Sequence, residues 1–153
     1  MSKKLKFQIL ATILVVIVAV LGSVFVNIGM DWFNGLTKPT QWIPNIIIPI
    51  VWSIIYLLSI VYLWVAIANN RISKQLTIWF VINGILNVLW CLLFFAFNLT
   101  FVGLIAIVIN LIAGWILFVN IIKERTVLSY LMIIYPVWLS IATTLNLCLW
   151  NLN

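Results

Sequence analysis

The stretch Gln75–Ile122, "QLTIWFVINGILNVLWCLLFFAFNLTFVGLIAIVINLIAGWILFVNII", runs for 48 residues without Asp, Glu, Lys or Arg. A membrane-crossing helix needs roughly 20 consecutive apolar residues, so this block holds two of them. The break falls at "FNLT", residues 97–100, where Asn98 and Thr100 supply turn and N-cap chemistry between two apolar runs. Three further blocks, Phe7–Met30, Pro39–Asn70 and Thr126–Asn153, are equally free of charge and hold one span each. The chain is therefore expected to be all-α, a single five-helix membrane domain over residues 1–153. Its predicted spans are about 5–26, 44–68, 76–97, 101–122 and 127–150, with residues 27–43 as the first loop.

Composition agrees with this reading. The chain is 67% hydrophobic and 7% charged, too few charged side chains to coat a soluble domain of 153 residues. With five spans, Lys3, Lys4, Lys6, Arg71, Lys74, Lys123 and Arg125 share one side, and Lys38 stands alone on the other. The positive-inside rule then predicts a multi-pass cell-membrane protein with the N-terminus cytoplasmic and the C-terminus and first loop outside. The net charge of +6 is thereby a matter of topology. It gives no nucleic-acid surface, because the basic residues are divided among three short segments. The N-terminal apolar run is longer than a signal-peptide core and lacks a clear cleavage site, so it is expected to stay as the first span. Cys91 and Cys148 lie inside spans, where small apolar packing is the expected role.

The residue types present restrict the chemistry. There is no histidine, and the only two acids, Asp31 and Glu124, fall in loops on opposite sides. Acid–base pairs, Ser/His/Asp triads, metal clusters and haem ligation by histidine are therefore not expected. No carboxylate or cation lies in the interior of a span, which argues against a proton-coupled carrier. What remains is aromatic and amide chemistry, with nine tryptophans. Trp64, Trp79, Trp115 and Trp150 lie toward span ends or face lipid as an interfacial belt would.

Trp52, Asn87, Asn110 and Trp138 behave differently, because a rise of 1.5 Å per residue sets all four roughly 12 to 18 Å below the outer boundary. Helical spacing groups Asn83, Asn87, Trp90 and Phe94 on one face of span three, Trp52, Tyr56 and Ser59 on span two, and Trp138, Ala142 and Asn146 on span five. An unsatisfied amide is costly in hydrocarbon, so these faces should turn inward. They serve either as interhelical glue or as the lining of a cavity. Pro44 suits the first turn of span two, and Pro136 frees a carbonyl one turn earlier in span five. Gly103, Ala106, Asn110, Ala113 and Gly114 give span four a small-residue face. Ala19, Gly22 and Ser23 do the same in span one. Such faces suit contact within the chain or in a homodimer, with internal packing favoured.

"WFNGLTKP" (32–39) with the following Pro44, "VWSIIYLLS" (51–59), "NGILNVLWCLLFF" (83–95) and "YPVWLSIATTLNLCLWNLN" (135–153) together resemble the tryptophan-rich sensory protein family, TspO, also called the translocator protein or peripheral-type benzodiazepine receptor. The resemblance covers the whole chain. It implies a five-helix bundle with a pocket toward the first loop that takes flat hydrophobic ligands: porphyrins and haem precursors such as protoporphyrin IX, or drug-like isoquinolines and benzodiazepines. It further implies Trp32, Phe33, Pro44, Trp52, Asn83, Asn87, Trp90, Trp138 and Ala142 as ligand-binding residues, to which the spacing argument adds Tyr56. No cofactor is required on this reading. The stretch 32–44 then reads as a lid, with Lys38 either capping a carbonyl or attracting a propionate.

Departures from the family are visible. Ile43-Pro44 stands where two prolines are often found, Phe33 where tyrosine is frequent, and no basic residue completes a cholesterol motif near the C-terminus. The leading expectation is a ligand-binding sensor or translocator-type membrane protein. The alternatives are a light- and oxygen-dependent porphyrin-degrading enzyme using Trp52 and Trp138, and a structural or accessory membrane protein.

Overall fold

The computed structural model describes residues 2–40 and 42–153, so Gln41 of the predicted lid lies outside the described residues. Ser2, Ser73 and Thr126 begin three of the helices, each accepting a backbone N–H two or three residues into the first turn. At Thr126 the bond is reciprocated by Ser129 in a capping box. Helix α1 runs Lys3–Ile28, α2 Met30–Gly35, α3 Ile47–Ala68, α4 Lys74–Cys91, α5 Thr100–Ile121, α6 Val127–Leu131 and α7 Ile134–Leu152. Asn70, Asn98 and Arg125 turn the chain between spans in the left-handed region, at φ 55°, 57° and 53°.

Five segments are long and apolar enough to cross a membrane: Lys3–Ile28, Ile47–Ala68, Lys74–Ala96, Thr100–Glu124 and Val127–Leu152. Helix α1 packs on α3 and α4, α4 packs along α5, α5 along α7, and α3 meets α6 and α7. The spans thus form a ring in the order one, three, four, five, two. Lys4 Nζ bonds Ala68 O, and Arg71 pairs with Glu124, so the N-terminus and the second and fourth connections share one end of the bundle. This is the basic face.

The small residues are used inside. A Cβ on Gly114 would stand 2.7 Å from Leu139 Cδ1, one on Gly103 2.8 Å from Phe94 Cβ, and one on Gly22 3.5 Å from Cys91 Sγ. Glycine here sets how closely α5 approaches α7 and α4, and α1 approaches α4.

Four local features differ from the sequence expectation. The first loop is partly helical: after Gly29 caps α1, the chain re-nucleates as α2, with Asp31 in the first turn where the helix dipole favours an acid. Helix α3 starts at Ile47 and not at Pro44, whose carbonyl accepts from Ile47 N at 2.9 Å in a preceding turn. Leu99, not Thr100, occupies the N-cap of α5, with no side-chain cap bond. Span five is broken into α6 and α7, because Pro136 has no N–H to continue the ladder and the turn at Met132–Ile133 takes up the break.

Helix α4 ends in a π-helical turn, Leu92–Ala96, in which Phe97 N reaches back to Leu92 O at 3.0 Å. The wider turn buries both Phe94 and Phe95, neighbours that a regular helix would separate by about 100°. Gly29 and Gly103 clasp it from two sides. A Cβ on Gly29 would fall 2.0 Å from Phe95 O, so only glycine fits there.

Candidate functional site

Two spaces adjoin one indole, the larger opening to the outside of the bundle along Phe7, Leu14, Val81 and Ile85. The larger is a chamber of about 900 Å³, and the smaller a cavity of about 40 Å³ beneath the first connection. Trp52 lines both. Its ring stacks on Tyr56 at 5.8 Å and 26°, and meets Trp90 at 6.1 Å and Tyr135 at 6.4 Å. It is the partition between them.

The chamber touches all five spans. Tyr56, Asn83, Asn87 and Tyr135 form its polar inner end, and Lys3 and Lys4 stand at its basic-face end. Tyr56 Oη donates to Asn87 Oδ1 at 3.3 Å. Asn83 Nδ2 donates to Trp79 O and Ala113 O, and Asn83 Oδ1 accepts from Tyr135 Oη at 3.1 Å. Asn83 is thus both helix glue and lining. Asn87 is 3% exposed, and among the described residues only its Oδ1 is bonded, which leaves the two Nδ2 hydrogens as donors at the chamber wall. Asn110 is fully buried beside Tyr135, 3.3 Å from its hydroxyl, and lines neither space, so its role is packing.

Phe33, Trp90, Trp138 and Ala142 line the small cavity, together with Trp42, Phe94, Phe95 and Asn146. Trp90 Nε1 donates to Asn146 Oδ1 at 3.2 Å. Trp138 is 6% exposed, and its Nε1 has no partner among the described residues. About 40 Å³ holds little more than one water-sized group, whereas ligand pockets occupy roughly 300–1,000 Å³. Of these two spaces, the chamber has the capacity for a drug-sized ring system.

The first connection is fastened down. Phe33 is buried against Phe94, Phe95 and Trp42. Lys38 Nζ donates to Phe33 O at 2.8 Å and lies 4.6 Å from the Phe33 ring centroid, so it caps a carbonyl. Asn153 grips the Thr37 peptide with both side-chain atoms, at 2.9 and 3.1 Å.

The ten residues singled out from the sequence therefore separate. Trp52, Tyr56, Asn83 and Asn87 meet in the chamber, and Phe33, Trp90, Trp138 and Ala142 (with Trp52) meet in the cavity beyond it. Trp32 and Pro44 line neither: Trp32 props Phe94 edge to face at 5.4 Å, and Pro44 is exposed because α3 begins three residues after it. Sequence reasoning missed Tyr135, although it extends the Trp138, Ala142, Asn146 stripe by one turn. It also missed Lys3 and Lys4, which the charge pattern accounts for as topology alone.

Comparison with known proteins agrees with the architecture. The sequence model of the TspO/MBR family matches residues 11–151. The Tryptophan-rich protein TspO of Archaeoglobus fulgidus is 31% identical over 150 residues, 95% of this chain and 97% of its own. Protein CrtK of Rhodobacter capsulatus is 29% identical over 130 residues, 80% of this chain and 78% of its own.

Proposed function

This chain belongs to the TspO/MBR family, a membrane protein of sensor or translocator type, and from that premise we propose that its chamber binds porphyrins or related flat hydrophobic ligands. The observation that carries the reading is one space of about 900 Å³ joining the Trp52 and Tyr56 rings to the Asn83 and Asn87 amides. A flat conjugated ring gains stacking and burial against the two aromatic faces. A ring or edge acceptor then takes the Asn87 Nδ2 hydrogens, which have no partner among the described residues. Because the sequence contains no histidine, affinity should be the same for a metal-free macrocycle. The proposed setting is the cell membrane, with the basic face cytoplasmic.

The test is titration of the purified protein with protoporphyrin IX, following tryptophan fluorescence. Saturable quenching that weakens in Trp52→Phe and Asn87→Ala supports the reading. Linear, unsaturable quenching equal to that of an unrelated membrane protein contradicts it.

A second reading, light- and oxygen-dependent porphyrin breakdown, is favoured by the ring-to-ring succession from Tyr56 through Trp52 to Trp90, at 5.8 and 6.1 Å. Trp52 would then be the electron donor to the excited ligand. Trp138, the other candidate, lies beyond the partition. Illuminated consumption of porphyrin that Trp52→Phe abolishes while binding persists separates this from binding alone.

A further inference from the structure

We propose that the open cleft between α1 and α4 holds one acyl chain of an anionic phospholipid from the leaflet on the basic face, with the lipid phosphate held by Lys3 and Lys4. Such a lipid lies along the exposed edge of the space, in front of the Trp52, Tyr56 and Asn87 end, and its binding does not depend on any ring ligand.

The cleft follows from how α1 is held. Toward the basic face α1 is tied to α3 by Lys4 Nζ to Ala68 O at 2.7 Å, Gln8 Nε2 to Trp64 O at 3.0 Å and Trp64 Nε1 to Thr12 Oγ1 at 2.8 Å. It meets α4 deeper, at Gly84, where a Cβ would stand 3.1 Å from Val18 Cγ2. Between that contact and the basic face the two helices part. The gap is edged by exposed Phe7, Leu14 and Val81, with Ala11, Val15 and Phe80 half-buried behind them. A slot that opens into hydrocarbon fills with hydrocarbon, because its walls otherwise lose their van der Waals partners. Since it narrows to side-chain contact at Gly84, it takes a flexible chain and not a second helix, whose body is about 10 Å across.

Its depth and its mouth select the lipid. From Phe7 to Val18 the helix rises about 16 Å, close to the roughly 15 Å of hydrocarbon in one leaflet. The slot is therefore one chain deep, and its mouth stands at headgroup level. There the lining turns polar on both sides: Lys3 and Lys4 on α1, Asn70 in the second connection and Thr77 on α4. Among the described residues Lys3 forms no hydrogen bond or ion pair, the Asn70 side chain forms no hydrogen bond, and Lys4 uses one of its three donor hydrogens. Neither acid of the chain lines the space: Asp31 sits in α2, and Glu124 is engaged by Tyr62 and Arg71. A phosphate that brings no cation of its own gains most from this mouth. A zwitterionic headgroup sets its own ammonium against the two lysines and gains less.

Native mass spectrometry of the full-length protein, equilibrated in detergent with dioleoyl phosphatidylglycerol or dioleoyl phosphatidylcholine, tests this. The parent should retain one phosphatidylglycerol per chain, preferred about tenfold over phosphatidylcholine, with the preference shrinking at high salt. Lys3→Gln/Lys4→Gln should lose the preference. Lys123→Gln/Arg125→Gln, which lowers the charge of the same face away from the slot, should keep it. Ala11→Phe, which sets a ring in the path of the chain, should retain neither lipid, with thermal unfolding as the folding control. Equal retention of the two lipids by the parent, equal effects of the two charge variants, or undiminished retention in Ala11→Phe overturns the inference. Displacement of the lipid by glycerol phosphate alone, which makes the site one for free phosphate, overturns it too, as does a lipid-free dimer, which puts a second copy over the cleft. No porphyrin enters these measurements, so their failure leaves the function reading to its own titration.

Discussion

Tyr56 Oη donates to Asn87 Oδ1 at 3.3 Å, joining α3 to α4 across the inner end of the chamber. The bond fixes the amide with its Nδ2 toward the space. A neutral hydrogen bond of this kind contributes about 0.5–1.5 kcal/mol. Tyr56→Phe should therefore weaken protoporphyrin binding by a factor of about three to ten, since Asn87 loses its orientation and the stack on Trp52 is kept. Asn87→Ala, which removes the donor itself, should cost at least as much. Fluorescence titration of both variants, with thermal unfolding as the folding control, checks the order.

Gly29 and Gly35 lie six residues apart and should respond in opposite ways to alanine. At Gly29 the new Cβ would sit 2.0 Å from Phe95 O, while at Gly35 nothing lies within 4 Å. Gly29→Ala must push α1 off the π-helical turn, and the expected loss is about 2–3 kcal/mol, seen as a lower unfolding temperature in detergent. Gly35→Ala should be neutral or slightly stabilising.

Tyr62 is almost fully buried and donates to Glu124 Oε1 at 2.5 Å, with the Arg71 guanidinium 3.8 Å from the other carboxylate oxygen. This ties α3 to the connection after α5. A hydrogen bond to a charged acceptor contributes about 1.5–3 kcal/mol, so Tyr62→Phe should lower stability by that amount. Neither Tyr62 nor Glu124 lines the chamber, and ligand affinity should stay within twofold of the parent.

Asn153→Ala removes both bonds to the Thr37 peptide. Hydrogen exchange at the Thr37 amide should accelerate about fivefold, the effect of roughly 1 kcal/mol of lost protection. Porphyrin affinity should not change, because neither Thr37 nor Asn153 lines the chamber. A changed affinity would instead place the first connection in the binding site.

The spans were legible because charged residues mark most of the boundaries: Lys38, Arg71, Lys74, Lys123 and Arg125 flank runs that hold no Asp, Glu, Lys or Arg. Asn98 announced the turn inside the longest block, and it adopts the left-handed conformation. The inward faces of α4 and α7 were legible from spacing, since Asn83, Asn87, Trp90, Trp138, Ala142 and Asn146 are all buried. Depth alone does not say which buried groups share a space. Asn87 and Trp138 lie at similar depth, yet they line different spaces, with Trp52 shared by both. The π-helical turn was hidden for a related reason, because the two glycines that clasp it are distant in sequence, at positions 29 and 103.

The most direct measurement fills the chamber from two sides. Ala11 and Ser59 both line it, on α1 and α3, and neither touches the cavity beneath the first connection. Ala11→Phe combined with Ser59→Phe should abolish saturable protoporphyrin binding, read from the ligand's absorption shift, while the protein stays folded and Ala142→Phe, in the small cavity, retains binding. Undiminished binding in the doubly filled variant, with loss in Ala142→Phe, would contradict the account and move the ligand to the other side of Trp52.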